Sequence, residues 1–365
     1  MRSGTGKSIA VVAALLVIAA VILKSGLMTR QSDDSGLLLP ALKSQLNELG
    51  TVRLTQAEDA VTIKKSGDGW LVAEKDNYPA DAGKLRKTLL DLAEARKLEA
   101  KTANPERLAQ LGLAADAEST DVTLEGTSAD AFTAISLVAG KSAQSKYRYV
   151  RMSNDNQAWL IDRNPELSAV PGDWLDDSIM DIGSAGIQSV SIEHADGERL
   201  LFSQNDGMLI ADNLPEGREL TSPGAASSIA SALLNLTLED VRILPPDAIA
   251  DTTTTLKSDK GLVVTASHYT LADEDWFSFA ASVTDVPGDE APAKATEESA
   301  EAGEADAASG ADQAANTGAT ADDINGRVHG WMYRLPNYKG SALNKRWQDL
   351  LKSEDEKEAE QENQG

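Results

Sequence analysis

From about residue 50 onward, apolar and polar positions mostly alternate with a period of two, and twice the alternation gives way to a stripe of helical period. The first unit opens at Val52. Short alternating runs (Val61, Ile63; Trp70, Val72) flank Gly67-Asp68-Gly69, which predicts a β-hairpin. Tyr78-Pro79-Ala80-Asp81 follows, with Asp81 placed to cap a helix. Leu85, Leu89 and Leu92 then recur at i, i+4 and i+7, the stripe of a helix packed on a sheet.

The same order returns from Ile187. Val190 and Ile192 alternate, Asp196-Gly197 turns, Leu200–Phe202 reads as a strand, and Asn205-Asp206-Gly207 turns again. Met208-Leu209-Ile210 takes the place of Trp70-Leu71-Val72. Ser222 caps a helix with Pro223 at its first position, and Ile229, Leu233 and Leu236 repeat the stripe.

The flanks agree. Each unit is preceded by a short amphipathic stretch, PALKSQLNELG in one case and PGDWLDDSIMDIG in the other. Each is followed by strands: Val122–Glu125, Ala134–Val138, Tyr147–Met152 and Ala158–Asp162 in the first half, and Leu262–Tyr269, Trp276–Val283 and Arg327–Arg334 in the second. GSALNKRWQDLLK reads as a short closing helix. The pattern predicts an α+β fold of two tandem repeated units, 37–165 and 166–352, each an antiparallel sheet with a helix on one face.

Ahead of these units, Ile9–Leu23 is apolar on every face, which predicts an N-terminal transmembrane helix within residues 1–30, with Ser8 and a snorkelling Lys24 extending the span. Gly4-Thr5-Gly6-Lys7-Ser8 resembles the end of a phosphate-binding loop. The required earlier glycine is replaced by Met1, and no amphipathic helix follows, so that reading fails. A cleaved secretory signal would share the basic start and apolar middle, but the residues around Ser25 and Gly26 make a poor cleavage site. An uncleaved anchor fits better, with a short cytoplasmic tail and the body outside the cytoplasm.

A net charge of -24 argues against nucleic acid and anionic lipid as partners, and the absence of cysteine excludes a lipoprotein signal, disulfides and thiol chemistry. Residues 287–323, rich in Ala, Glu, Asp and Gly, and 353–365 lack the large apolar side chains needed to offset ordering entropy. They are expected to be a disordered acidic insert and tail.

The succession of anchor, LLLPALKSQLNELGTVRL, DGWLV, YPADAGKLRKTLLDLAEARKLE, LGL, YRYVR, DWLDDSIMDI and terminal YRLPNYKGSALNKRWQDLL resembles the bacterial family of domain of unknown function 4340 over nearly the whole chain. The resemblance implies a membrane-anchored extracytoplasmic protein, often encoded beside ABC transporters of the gliding-motility type, and it carries no established activity or catalytic residue. The long acidic insert departs from the family pattern.

Candidate chemistry is sparse. His268 and His329 fall in alternating segments and could meet if their strands pair, with Glu193 or Asp275 completing a metal site. No pair has short ligand spacing, so separate sheet-face histidines, with His194 beside a turn, are the simpler reading. Asp176-Asp177 could be imagined as glycosidase carboxylates, but Asp177-Ser178 before Ile179 more simply caps a helix. Trp70, Trp159, Trp174, Trp276, Trp331 and Trp347 could build a sugar platform, or serve as core. Asn235-Leu236-Thr237 matches a glycosylation triplet inside an expected helix. No catalytic, cofactor or metal residue is assigned. The function expected is a non-enzymatic accessory or scaffold component of an ABC-type transport complex. The alternatives are a cell-envelope glycan or small-solute module using a cleft between the repeats and, less favoured, a hydrolase.

Overall fold

The computed structural model describes residues 36–114, 118–183, 186–284 and 320–353. The expected anchor, the body of the acidic insert and nearly all of the acidic tail lie outside the described residues. Two sheets dominate what is described. The first has nine strands: β1 Leu49–Gln56, β2 Asp59–Ser66, β3 Gly69–Val72, β4 Tyr78–Pro79, β5 Lys97–Ala100, β6 Thr120–Gly126, β7 Ile135–Ala143, β8 Tyr147–Met152 and β9 Trp159–Ile161. A two-stranded ladder joins β10 Ser178–Met180 to β14 Leu236–Thr237. The second large sheet has eight: β11 Ile187–His194, β12 Arg199–Asn205, β13 Met208–Ala211, β15 Asp240–Ile243, β16 Thr252–Ser258, β17 Leu262–Leu271, β18 Glu274–Val283 and β19 Trp331–Arg334.

The expectation of an α+β fold behind a transmembrane helix is corrected here. The described chain is mostly large antiparallel sheet, and none of its helices is long and apolar enough to cross a membrane. The α-helices are α1 Leu42–Gln45, α2 Ala82–Glu94, α3 Ser227–Ala230, α4 Ala321–Val328 and α5 Asn337–Leu343. Only α2 fulfils its stripe over its full length, burying Leu85, Leu89 and Leu92. Ile229, Leu233 and Leu236 are all buried too, but the backbone leaves the helix after Ala230. Asn235 takes a left-handed φ of 46°, and Leu236 enters β14. Apolar period alone does not hold a helix together when serines and a left-handed residue interrupt it.

Three further segments depart from their sequence patterns. Ser178–Met180 is a strand where Asp177-Ser178 seemed to open a helix. Arg327 and Val328 end a helix, and the strand begins only at Trp331. That helix starts within the stretch read as insert, because Thr320 and Asp323 form a capping box.

The strand orders of the two sheets can be compared directly. The first runs β4-β3-β2-β1-β6-β7-β8-β9-β5 and the second β13-β12-β11-β16-β17-β18-β19-β15. Setting β4 aside, each strand of the first has its counterpart ten places later in the second. The closing contacts repeat as well. Asp81 N–H donates to the Trp174 carbonyl (2.8 Å) and Asp176 N–H to the Pro79 carbonyl (3.0 Å). Thr221 N–H donates to Leu350 (2.9 Å) and Lys352 N–H to Glu219 (2.9 Å). PGDW therefore corresponds to the C-terminal RWQDLL, and not to the stretch ahead of the first unit as its sequence position suggested.

The chain separates into two compact units, Met1–Asp68 with Ala82–Val170, and Gly69–Asp81 with Pro171–Gly365. In the first, a cluster of Leu108, Leu113, Val138 and Ala158 forms under the 3-10 turn Pro105–Leu111. Gly140 admits this turn: a Cβ there would sit 2.3 Å from the Leu111 carbonyl oxygen. In the second, Tyr78 meets Trp331 edge-on at 5.0 Å and Tyr333 at 6.2 Å, which ties β4 to β19.

Candidate functional site

The second sheet carries a buried polar row. Register places His194 opposite Thr252, Thr252 opposite His268, His268 opposite Phe277 and Phe277 opposite Tyr333, so five strands contribute one residue each to a single face. All five side chains are buried. The segment at the end of α5 covers part of this row. Thr254 Oγ1 donates to the Leu343 carbonyl, and His194 Nε2 lies 3.0 Å from the Lys345 carbonyl. A carbonyl only accepts, so Nε2 donates there, while Nδ1 lies 2.9 Å from the Thr252 hydroxyl, which itself donates to Asn344 Oδ1 at 2.7 Å.

His268 Nε2 stands 2.8 Å from Asp275 Oδ1, a pairing that resembles the rear half of an acid–base dyad. The working half is missing. Its Nδ1 is buried without a partner, the ring packs 5.0 Å from Phe277, and the exposed end of the pair is the carboxylate. A general base must reach the proton it takes, and this nitrogen faces core.

The other sequence candidates disperse. His329 sits exposed at the C-cap of α4, and β18 lies between the strand of His268 and β19. Glu193 pairs with Arg199. Asp176 and Asp177 secure backbone: one donates its N–H to Pro79, and the other accepts from the Leu238 N–H at 2.9 Å. Among the described residues no group of three His, Asp or Glu is placed to hold a metal. Trp174, Trp276 and Trp347 are buried. Trp159 and Trp331 are half-buried and engaged by Lys97 and Tyr78. Asn235-Leu236-Thr237 is taken up by β14 and by an Asn235 N–H bond to Asp181.

Lys339 escaped the sequence reading altogether. It is buried, and its Nζ donates to the carbonyls of Ser231 (3.0 Å) and Leu234 (2.6 Å) just beyond α3. Burial lowers its pKa, an effect opposed by the Asp181 carboxylate. An ammonium committed to two carbonyls serves as a cap for the turn, not as a nucleophile. YKGSAL carries no local signal of this, because the carbonyls come from about a hundred residues upstream.

An open site lies at the edge of the second sheet. The Asp206-Gly207 hairpin, with φ of 50° and 81°, has the two left-handed residues of a type I′ turn, and it delivers β13 as the terminal strand. Pairing Asn205 with Met208, and Asp212 N–H with the Leu201 carbonyl, turns the backbone of Leu209 and Ala211 outward. The matching hairpin in the first repeat begins at Gly69, so Trp70 and Val72 are the counterparts of Leu209 and Ala211. This shifts the alignment expected from sequence by one residue. There the outward carbonyls are occupied: Ala80 N–H donates to Trp70 (2.8 Å) and Asn77 N–H to Val72 (3.1 Å), with β4 laid along the edge. Among the described residues nothing does this for Leu209 and Ala211. A cavity of ≈ 320 Å³ lies beside the bare edge, between Ile187, Gln204 and Leu209 on the sheet and Pro223, Ser227 and Ala230 at α3. Exposed Met208 is part of its lining, and Ile210 is exposed next to it.

A family model for a domain of unknown function, DUF4340, matches residues 70–262, more than half of the chain. The chain belongs to the DUF4340 family. The match begins at Trp70 in β3 and ends at Leu262 in β17, so the DUF4340 region contains both the covered edge and the open one. No curated protein and no solved structure matches this DUF4340 chain.

Proposed function

We propose that this DUF4340 protein is a non-enzymatic accessory or scaffold component of an ABC-type transport complex. The apolar segment Ile9–Leu23 holds it in the bacterial cytoplasmic membrane, and the two sheets stand on the extracytoplasmic side. The observation that carries the reading is the uncovered β13 edge with its adjoining cavity, in a repeat whose sister covers the equivalent edge with its own chain. An exposed strand edge is a template for pairing with another polypeptide, and natural proteins usually blunt it.

The test is co-purification of the full chain in mild detergent. Reproducible recovery of a transporter permease or ATPase subunit is expected. Its absence with the apolar segment intact overturns the reading.

A further inference from the structure

The open edge of β13 also specifies what it would accept. We infer that the groove between β13 and α3 binds an extended, basic segment of a partner protein, which adds to the second sheet as an antiparallel strand. This rests on the accessory-protein reading and names the chemistry of its contact.

The first repeat supplies the template. β4 runs antiparallel to β3, with Pro79 opposite Leu71 and Tyr78 opposite Val72. Carried to the second repeat, the same register sets partner residues opposite Ile210 and Ala211. The carbonyls and N–H groups of Leu209 and Ala211 are then left to make the ladder. Cross-strand neighbours share a face, so the partner residue opposite Ala211 lies on the face of Leu209, which lines the cavity. Its counterpart in the first repeat is Tyr78, a buried aromatic. The cavity is in the size range of side-chain and ligand pockets, and its lining of Ile187, Gln204, Leu209, Pro223, Ser227 and Ala230 carries no charge. The opposite face of the added strand would cover Ile210, now exposed.

Charge decides between occupants. The turns at the two ends of β13 carry exposed Asp206 and Asp212, and the chain as a whole has a net charge of -24. A second copy would bring that charge against itself. A segment with Lys or Arg flanking its apolar positions is attracted, and main-chain pairing then supplies affinity while the pocket supplies selectivity.

The test uses the full chain in mild detergent and three labelled eight-residue peptides, followed by fluorescence anisotropy. The first alternates valine and lysine around one tyrosine. The second has glutamate for lysine. The third is the lysine peptide N-methylated at alternate amides, which keeps its charge and removes its ladder donors. The lysine peptide is expected to bind, and both others to bind at least about tenfold more weakly. Ala211→Pro, which removes an outward N–H, and Ser227→Trp, which fills the groove from an exposed position, should each weaken binding about tenfold. Ser227→Trp spares the strand itself, so the proposal stays testable if Ala211→Pro unfolds.

No binding of the lysine peptide up to about 1 mM overturns the inference. So does equal binding of the N-methylated peptide, which would mean charge attraction alone, or unchanged binding in both variants. A dimer of the parent chain that Ala211→Pro dissolves overturns it in favour of a second copy. If transporter subunits co-purify equally with parent and variants, strand addition is wrong while the accessory reading stands. If the parent retains no transporter subunit but the peptide results hold, the accessory reading falls and strand addition survives.

Discussion

Tyr78 and Tyr333 are buried side by side in the second unit, their ring centroids 6.2 Å apart. Burial is the main reason their phenols hold protons so strongly: Tyr78 is pushed up from an ordinary 10.0 to about 12, and Tyr333 is raised as well. The unfolded chain gives up these protons first. Stability linked to the pair is therefore complete below pH 10 and is lost as pH climbs towards about 12. Thermal midpoints should fall across that window, with phenolate absorbance from these two residues appearing at higher pH in the folded protein than in the unfolded chain. Tyr78→Phe should flatten the fall. A midpoint unchanged between those pH values would contradict the assignment.

At the scale of elements, α2 and α3 began as the same sequence pattern and ended differently, yet both stripes are buried. Leu89 at 6% and Leu233 at 0% exposure sit at the middle of each. Leu89→Ala and Leu233→Ala should each cost about 2–5 kcal/mol, measured by denaturant unfolding, whether or not the site is helical, because the cost follows the vacated volume. Burial was thus legible where helix length was not. Hairpins marked by glycine turns, such as Asp206-Gly207, were legible too. β16 was not, because Thr252-Thr253-Thr254-Thr255 shows no apolar alternation. Thr252 and Thr254 are buried all the same, their hydroxyls occupied by His194, Asn344 and the Leu343 carbonyl. Those partners come from distant strands and from the C-terminal segment, and no window of sequence contains them. The open edge at Leu209 and Ala211 was illegible for a different reason: it is defined by the absence, among the described residues, of a β4-like strand in the second sheet.

For the whole molecule, the described contacts begin at Gly36. Removing residues up to Arg30 should leave a soluble body whose unfolding transition matches that of the full chain. On the proposed function the exported, truncated body should fail to complement at native expression, because a tethered protein meets its partner at far higher effective concentration than a free one. Full complementation would reduce the apolar segment to an export signal.

The repeated closing contacts also set a timetable for synthesis. The first set is complete once Asp176 has emerged, but the second needs Leu350 and Lys352, made long after Asp176. His194 and Thr252 likewise wait for Asn344 and Lys345. A chain appearing amino end first therefore carries its second sheet unlatched until Lys352 has been made. During that interval the β13 edge and the histidine row are exposed together to whatever polypeptide is nearby.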